Sequence, residues 1–519
     1  MGRRAANATT ISLRPLTDAD TARLVAALLD RAVLPADTQA ALLERASGNP
    51  LYAEEVCRTL VEQGEFELDH LGSIQALIAA RLDRLTVEHK QLLQDAAVIG
   101  KVFWAGALTS MGDRDAATVR AGLHDLQRRE LVRPTRSSTM KDDTEYAFWH
   151  GLTRDVAYGQ LPRAARATKH RAAAAWLERA AGNRIADQAE VLAHHYDQAL
   201  TNARAARLPG QAAELEGASL RFLMLAGDRA LALDVARADD YYQRALRLAP
   251  AGHPERAGIL AKAAEVAKHA GRMAEAEQTY EDAIAAFRVR GDLVGTGGAM
   301  VRSAVVLWLR GEPARSRELL ASAIELLEGG PPGPELAGAY EQMAADVLTH
   351  GRPAEALVWV AKAIDLADRV GAEDTRQLAL QFRGGARFMG GDVGGMDDLR
   401  EAVQLGLRLG LGPATALAYY NFADAVFMLD GPAAALETYR AGRVLCRQRG
   451  ITELGCGPRR GHPALSGRAR FMGRRHADRR QADHLVPGER RALLRRRDPV
   501  HEGGHSRPPG PSRRSAPAD

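Results

Sequence analysis

"GRMAEAEQTYEDAIAAF", residues 271–287, sets Ala276, Tyr280 and Ala283 on one face of a helix, four and then three residues apart. The pattern returns in "DVARADDYYQRALRL" (234–248), "GEPARSRELLASAIELL" (311–327), "GRPAEALVWVAKAIDLA" (351–367), "GGDVGGMDDLREAVQLG" (390–406) and "DGPAAALETYRAGRVLC" (430–446). Aligned, the six segments place small residues at Ala245, Ala283, Ala323, Ala363, Ala402 and Gly442, spaced by 38 to 40 residues. Seven residues before each stands a second small one: Ala238, Ala276, Ser316, Ala356, Gly395 and Ala435. A period of this length in helix-forming sequence marks repeated helix pairs.

Helices that cross closely need small side chains at the crossing, and bulky ones such as Tyr242, Tyr280 and Tyr439 fill the space beside it. One pair cannot bury its apolar face alone, so neighbours stack into a superhelix. The Ala- and Leu-rich succession over 166–455 resembles the tetratricopeptide family in a longer-period variant, with the usual Trp, Gly and Pro marks only partly present. This register predicts that Ala283, Ala323 and Ala363 face a neighbouring helix, and that Arg317, on a different face, is exposed.

Upstream, "ERASGNPLYAEEV" (44–56) breaks two helical stretches with a corner. Gly48 suits the left-handed end of one helix, Asn49 a cap, and Pro50 a first helical position. Tyr52, Val56 and Leu60 then recur every four residues, while Glu54 and Glu55 are placed to meet the positive end of the helix dipole. "TDADTARLVAALLD" (17–30) and "SIQALIAARLDRL" (73–85) add short amphipathic helices. Two more, "EHKQLLQDAAVIG" (88–100) and "DAATVRAGLHDLQRRE" (115–130), precede "LVRPT", a polar loop "RSSTMKDD" and the aromatic "EYAFWH" (145–150). Helices followed by two short strands and a loop suggest a winged helix. Its second helix mixes Arg114, Arg120, Arg128 and Arg129 with Asp115, Asp125 and Glu130, a solvated face rather than a DNA-reading one.

The ordered set "PLTDADTARLVAALL", "LLERASGNPLYAEEVCRTLVEQG", "SIQALIAARLDRLTVEHKQLLQDAAVIGKVFW", "LQRRELVRP" and "EYAFWHGLTRDVAYGQLPRAARATKHRAAAAWLE" resembles the bacterial STAND ATPases over about residues 15 to 180. These are AAA-related signalling ATPases attached to adenylate cyclase, kinase or LuxR-type modules. Together with the repeats and the composition of the C-terminal stretch, this gives the expectation of an all-α protein in four parts: a helical lid remnant over 1–86, a winged-helix-like domain over 87–165, tetratricopeptide-like repeats over 166–455 and a disordered tail over 456–519. The resemblance implies that Pro50 lies against the adenine of bound nucleotide and that His150 senses its phosphates. The plainer readings are a corner proline and a helix-capping or packed histidine.

ATP or ADP is the cofactor of the intact family, yet this chain carries no phosphate cradle of its own. The string "DAAVIGKVF" (95–103) has Asp95 where a P-loop needs its first glycine and Val102 where it needs a hydroxyl. No apolar strand ending in acidic residues stands upstream of the lid. The expected role is a regulatory and scaffolding segment, binding protein partners or an inducer through the repeats. The alternatives are an ATP-dependent regulator that uses a P-loop from another chain, and a DNA-binding transcriptional regulator. No catalytic set stands out: Ser/His/Asp combinations lack a nucleophile elbow. Adjacent His194 and His195 point about 100° apart on a helix and read as packing rather than as a metal site.

Three cysteines and no run of about 18 apolar residues fit a reducing, cytoplasmic setting without a membrane. The chain of 519 residues carries a net charge of +5, but residues 456–519 hold 16 Arg, no Lys and 6 acidic residues, leaving a net of −5 for residues 1–455. A nucleic-acid partner is therefore expected only as non-specific binding by the tail. Seven lysines against 63 arginines point to a GC-rich gene, so the tail reads either as a frameshift product from near Gly455 or as a natural disordered segment. Deleting 456–519 is expected to leave helicity and melting temperature nearly unchanged, and circular dichroism of the shortened chain checks this.

Overall fold

The computed structural model describes residues 13–29, 34–63, 73–140, 143–231 and 233–448. The expectation for the tail at 456–519 lies outside the described residues. Two compact units divide the chain, residues 1–250 and residues 251–519.

The first unit opens with α1 (Asp18–Leu28), α2 (Ala36–Ala46), α3 (Pro50–Gln63) and α4 (Ile74–Asp83). Thr17 caps α1 and Ser73 caps α4, each accepting from a backbone N–H of the first turn. The corner between α2 and α3 forms as its residues dictate. Gly48 has φ +72°, and a Cβ there would lie 2.3 Å from the Leu16 carbonyl oxygen. Asn49 Oδ1 accepts from the Leu51 N–H at 3.1 Å, and Pro50 opens α3. Val25, Leu42, Tyr52, Val56 and Leu77 bury themselves together beneath it.

Next come α5 (Val87–Ile99), β1 (Val102–Trp104), α6 (Ala105–Gly112), α7 (Ala116–Arg128), β2 (Val132–Pro134) and β3 (Glu145–Phe148). The strands form an antiparallel sheet in the order β1-β3-β2. Neither β1 nor α6 was foreseen from the sequence. A three-residue strand shows no alternation, and β1 exists because Val102, Phe103 and Trp104 pair with Ala147, Tyr146 and Glu145. Phe103 is then buried with Leu92, Leu108, Leu123, Leu126 and Phe148. Asp95 is fully buried and pairs with Arg114 at 2.8 Å and with Lys169. After α8 (Gly151–Gly159), helices α9 (Arg163–Ala181), α10 (Ala189–Ala205), α11 (Pro209–Leu231) and α12 (Val235–Leu248) pack each on the next.

The second unit continues with α13 (Arg256–His269), α14 (Met273–Val289), α15 (Leu293–Leu309), α16 (Pro313–Glu328) and α17 (Pro334–Thr349). It ends in α18 (Pro353–Val370), α19 (Glu373–Met389), α20 (Gly395–Leu409), α21 (Gly412–Asp430) and α22 (Pro432–Gln448). Each helix packs on its successor, and α13, α15, α17, α19 and α21 also touch one another in turn. The odd-numbered helices of this unit therefore make a layer of their own. Within the first four pairs the turn falls on Gly271, Gly311, Gly351 or Gly391, with φ between +76° and +87°.

The small positions do what the period required. Ala276, Ala283, Ala323, Ala356, Ala363 and Ala402 have 0% exposure. Ser316 is small for a further reason, because its hydroxyl donates to the Ala304 carbonyl at 2.7 Å. At Gly395 a Cβ would lie 2.4 Å from the Gly384 carbonyl oxygen, so α19 and α20 cross glycine on glycine. The tyrosines carry a second rule. Tyr280 donates to Glu265 at 2.6 Å, Tyr242 to Asp228 at 2.7 Å, and Tyr439 to Asp424. Where the tyrosine position holds Leu320, Val360 or Leu399, the residue at the acid's place, fourteen or fifteen earlier, is Val305, Ala345 or Gly385, so the hydroxyl and the carboxylate come and go together.

Arg317, expected to be exposed and to tolerate Leu within about 0.5 kcal/mol, is half-buried and paired, a correction to the register's reading. Its Nε donates to Asp346 at 2.6 Å, and Asp346 is only 7% exposed. Ala323→Leu should overpack the crossing and cost about 1–3 kcal/mol. Arg317→Leu should also destabilise, by about 1–2 kcal/mol, because it strips a buried carboxylate of its donor. Urea unfolding of both variants checks this, with an unaffected Arg317→Leu protein as the contrary result.

Candidate functional site

Pro50 is exposed at the start of α3, and Glu54 lies one turn further along the same helix face. His150 is the residue before α8, in extended backbone, and its side chain caps nothing. Its Nε2 instead sits 3.4 Å from Glu54 Oε2, a charge contact when the ring is protonated. The fold thus brings the neighbourhoods of Pro50 and His150 together through Glu54, a residue the sequence reading had assigned to the helix dipole. Glu55, given the same assignment, is 1% exposed and pairs with Arg81 at 3.2 Å and with Arg58 at 3.5 Å. Both lie past the first turn of α3, where the dipole has faded. Arg58 also reaches Glu130 at 2.5 Å, and Arg81 donates to the Arg129 carbonyl, so the corner helix is tied to the end of α7.

A second polar cluster lies between α8, α9 and α10. His170 Nδ1 and His195 Nδ1 are 2.9 Å apart, and His170 Nε2 is 2.9 Å from the Tyr158 hydroxyl. His194 packs edge-on against both rings. Burial first, and then the neighbouring histidines, pull His170 down to about 2 and His195 down to about 3. Both are therefore neutral, one donating and the other accepting the shared hydrogen. Among the described residues no group of three or more His, Cys, Asp or Glu is placed to hold a metal ion. Packing was legible for His194 and His195, but His170 stands 25 residues away and nothing local announced it.

In the second unit the odd-numbered helices expose one position at each repeat: Lys262, Arg302, Gln342, Phe382 and Asn421, all exposed or half-buried. This face is open, and no sequence signal had marked it. A hollow of about 330 Å³ in this unit is bordered by Pro332, Leu336, Tyr340 and Lys362. No helix among the described residues is long and apolar enough to cross a membrane.

These paired helices, with small residues at their crossings and a continuous layer of first helices, define a tetratricopeptide-like helical-repeat protein. Among solved structures the chain is similar to a signal transduction ATPase with numerous domains (STAND) carrying a tetratricopeptide repeat sensor, from Pyrococcus horikoshii. The TM-score is 0.51 at 14% identity, over 85% of this chain and 62% of that one. This chain thus spans less than two thirds of that protein, and the likeness is one of fold. Weaker likenesses reach aspartyl phosphate phosphatase F from Bacillus subtilis (TM-score 0.43, 10% identity, 86% and 98% of the two chains) and the quorum sensor NprR from B. thuringiensis (0.39, 12%, 82% and 99%). No family model matches the chain, and no curated protein matches it.

The histidine pair makes a pH prediction. The folded values lie below the unfolded one near 6.5, so unfolding takes up protons and the stabilisation is complete above about pH 6.5. It is lost as pH falls from there toward 3. Replacing His170 and His195 together by Gln should flatten the stability–pH slope between about pH 6 and 4, and denaturant melts at several pH values measure it. Equal slopes in the two proteins would refute the neutral pair.

Proposed function

We propose that this chain is a regulatory, partner-binding segment of a STAND-type signalling ATPase, taking a protein partner or inducer on the open face of α13, α15, α17, α19 and α21. That face carries the proposal: a layer of helices exposing one equivalent position per repeat has side chains of different chemistry where a single ligand can meet several of them. The fold likeness to a STAND protein with a repeat sensor supports the wider setting. In this reading α1–α4 are lid helices, and α5 to β3 form a winged-helix-like module. The mixed charge of α7, with Asp115 caught up in its own cap and Glu130 held by Arg58, favours protein over DNA contacts for that module. Selection of a random peptide library on the whole chain tests the role. Saturable micromolar binders are expected, and a selection that yields none removes the reading.

A second reading is favoured by one observation, the Glu54–His150 contact that gathers Pro50 and His150 into one place. Here the chain contributes an adenine contact and a phosphate sensor to a site whose P-loop comes from another chain. The glycine cradle, lysine and magnesium ligands supply most phosphate recognition, so the chain by itself should show no saturable ATP or ADP binding at millimolar nucleotide with magnesium. Calorimetry decides between the two. Micromolar binding by the chain alone, lost in both Pro50→Ala and His150→Ala, would establish a working site at this corner and displace the first reading.

A further inference from the structure

Each second helix of this unit receives the first helix of the next pair: α14 packs on α15, α16 on α17, α18 on α19 and α20 on α21. Two positions of the second helix meet the newcomer. One stands six residues before the crossing residue, as Glu277, Arg317, Leu357 and Met396. There Glu277 pairs with Arg310 and, at 3.2 Å, with Arg315, Arg317 pairs with Asp346, and Met396 shares a cluster with Ala425 and Val426 of α21. The other stands one residue after the crossing residue, as Ile284, Ile324, Ile364 and Val403. Ile364 and Val403 lie in one cluster with Leu380 of α19 and Ala418 of α21.

On α22 these two positions are Leu436 and Arg443, and both are exposed, Leu436 by 47%. The next residue along, exposed and small or polar upstream as Ala285, Glu325, Asp365 and Gln404, is here Val444, 49% exposed. An internal repeat keeps an aliphatic residue at the place of Arg443, and a capping repeat is polar at the places of Leu436 and Val444. Helix α22 follows neither rule. Leu436, Arg440, Arg443 and Arg447, spaced four, three and four residues apart, form one stripe with Val444 beside it. The three arginines are exposed and make no hydrogen bond or ion pair among the described residues. Arg447 suits the negative end of the helix dipole, but Arg440 and Arg443 lie before the last turn and gain nothing from it. On α21, Tyr420 stands where Gln381 of α19 reaches forward to the Ala414 carbonyl, and it is half-buried against Tyr439.

We infer that this terminal face of α22 is a docking surface of its own, separate from the layer of first helices, and that it takes an acidic amphipathic helix of a partner protein. Carboxylates of that helix meet Arg440, Arg443 and Arg447, and an apolar side chain meets Leu436 and Val444. Packing calls for a helix, because the same side of α14, α16, α18 and α20 is filled by one, at the usual interaxial distance of about 8–10 Å. Charge calls for acid, which arginine holds in charge-assisted contacts. A second copy of this face would set its own arginines against Arg440, Arg443 and Arg447. Residues 456–519, with 16 Arg and 6 acidic residues, carry the same wrong sign. Leu436 stands at the N-terminal end of the stripe, so the acids of the partner helix lie toward the C-terminal end of α22.

The test uses the full chain and labelled alanine-based peptides of about twenty residues, long enough to hold a helix. One design carries Leu and three Glu at the spacing of positions 436, 440, 443 and 447, in both orders, and a control of equal charge scatters the glutamates around the helix. One order should bind saturably in fluorescence anisotropy, and the control about tenfold or more weakly. Arg440→Glu together with Arg443→Glu should weaken the ordered peptide by about tenfold or more and turn the preference toward a peptide with Lys in place of Glu. The melting temperature should stay level, since neither arginine has a partner to lose; where it falls, Arg440→Gln with Arg443→Gln gives the same comparison without added charge. Leu436→Asp should weaken the ordered peptide as well. Equal binding of ordered and scattered peptides, unmoved by the arginine variants, would be the charge of residues 456–519 acting alone and would overturn the inference. Single-stranded DNA of about twenty nucleotides held more tightly than the peptide, and through Arg440 and Arg443, would make the face a nucleic-acid contact and overturn it too. A dimer in light scattering that Leu436→Asp dissolves would do the same in favour of a second copy. All three results leave partner binding on the first-helix layer standing.

Discussion

The close passage of one helix across the next, at positions where only a hydrogen atom or a methyl group fits, is the constraint on which the repeat region depends. Ala283, Ala323, Ala363 and Ala402 leave no surface to solvent, and at Gly395 and Gly384 even a methyl would collide with backbone. Dispersion and exclusion of water reward such contact only when it is tight, so each small residue licenses the bulky neighbours around it. Tyr280 shows the consequence. It is fully buried, and its hydroxyl then needs an acceptor, which Glu265 supplies from the partner helix. Burial pushes that hydroxyl well above its ordinary range, with the carboxylate adding to the effect. The pairing of Tyr242 with Asp228 and of Tyr439 with Asp424 repeats the solution wherever the ring recurs.

The first unit adds a second device, clusters of buried charge. Asp95 gathers Arg114 and Lys169 from separate segments, and Glu55 gathers Arg58 and Arg81. Such clusters add little net stability over apolar packing, but losing one partner leaves an uncompensated charge inside. They therefore hold the corner helix, the small sheet and α9 to one arrangement. Glu54 and His150 meet in the same unit.

A layer of first helices in each repeat does for binding what a cleft does in an enzyme. It offers a series of equivalent positions whose side chains vary independently of the packing beneath. Arg302 and Phe382 occupy one such position on α15 and α19, one charged and one aromatic. That freedom lets recognition change while the crossings stay constant.

The period of 38 to 40 residues, the helix pairs and the identity of the crossing residues were legible in the sequence, because close packing leaves few residue types at a crossing and repeats them. The Gly48–Pro50 corner was legible too, since left-handed backbone, cap and first-turn proline are local demands. Strand β1 was not, because three residues gain strand geometry only from β3, some forty positions on. Nor were the His170–His195 pair, the Glu54–His150 contact or the Arg317–Asp346 bridge. Local sequence determines which residues can be helical and which must be small. Which charged or titratable side chains meet is decided by the superposition of distant helices, where one turn of register moves a contact by about 5.4 Å.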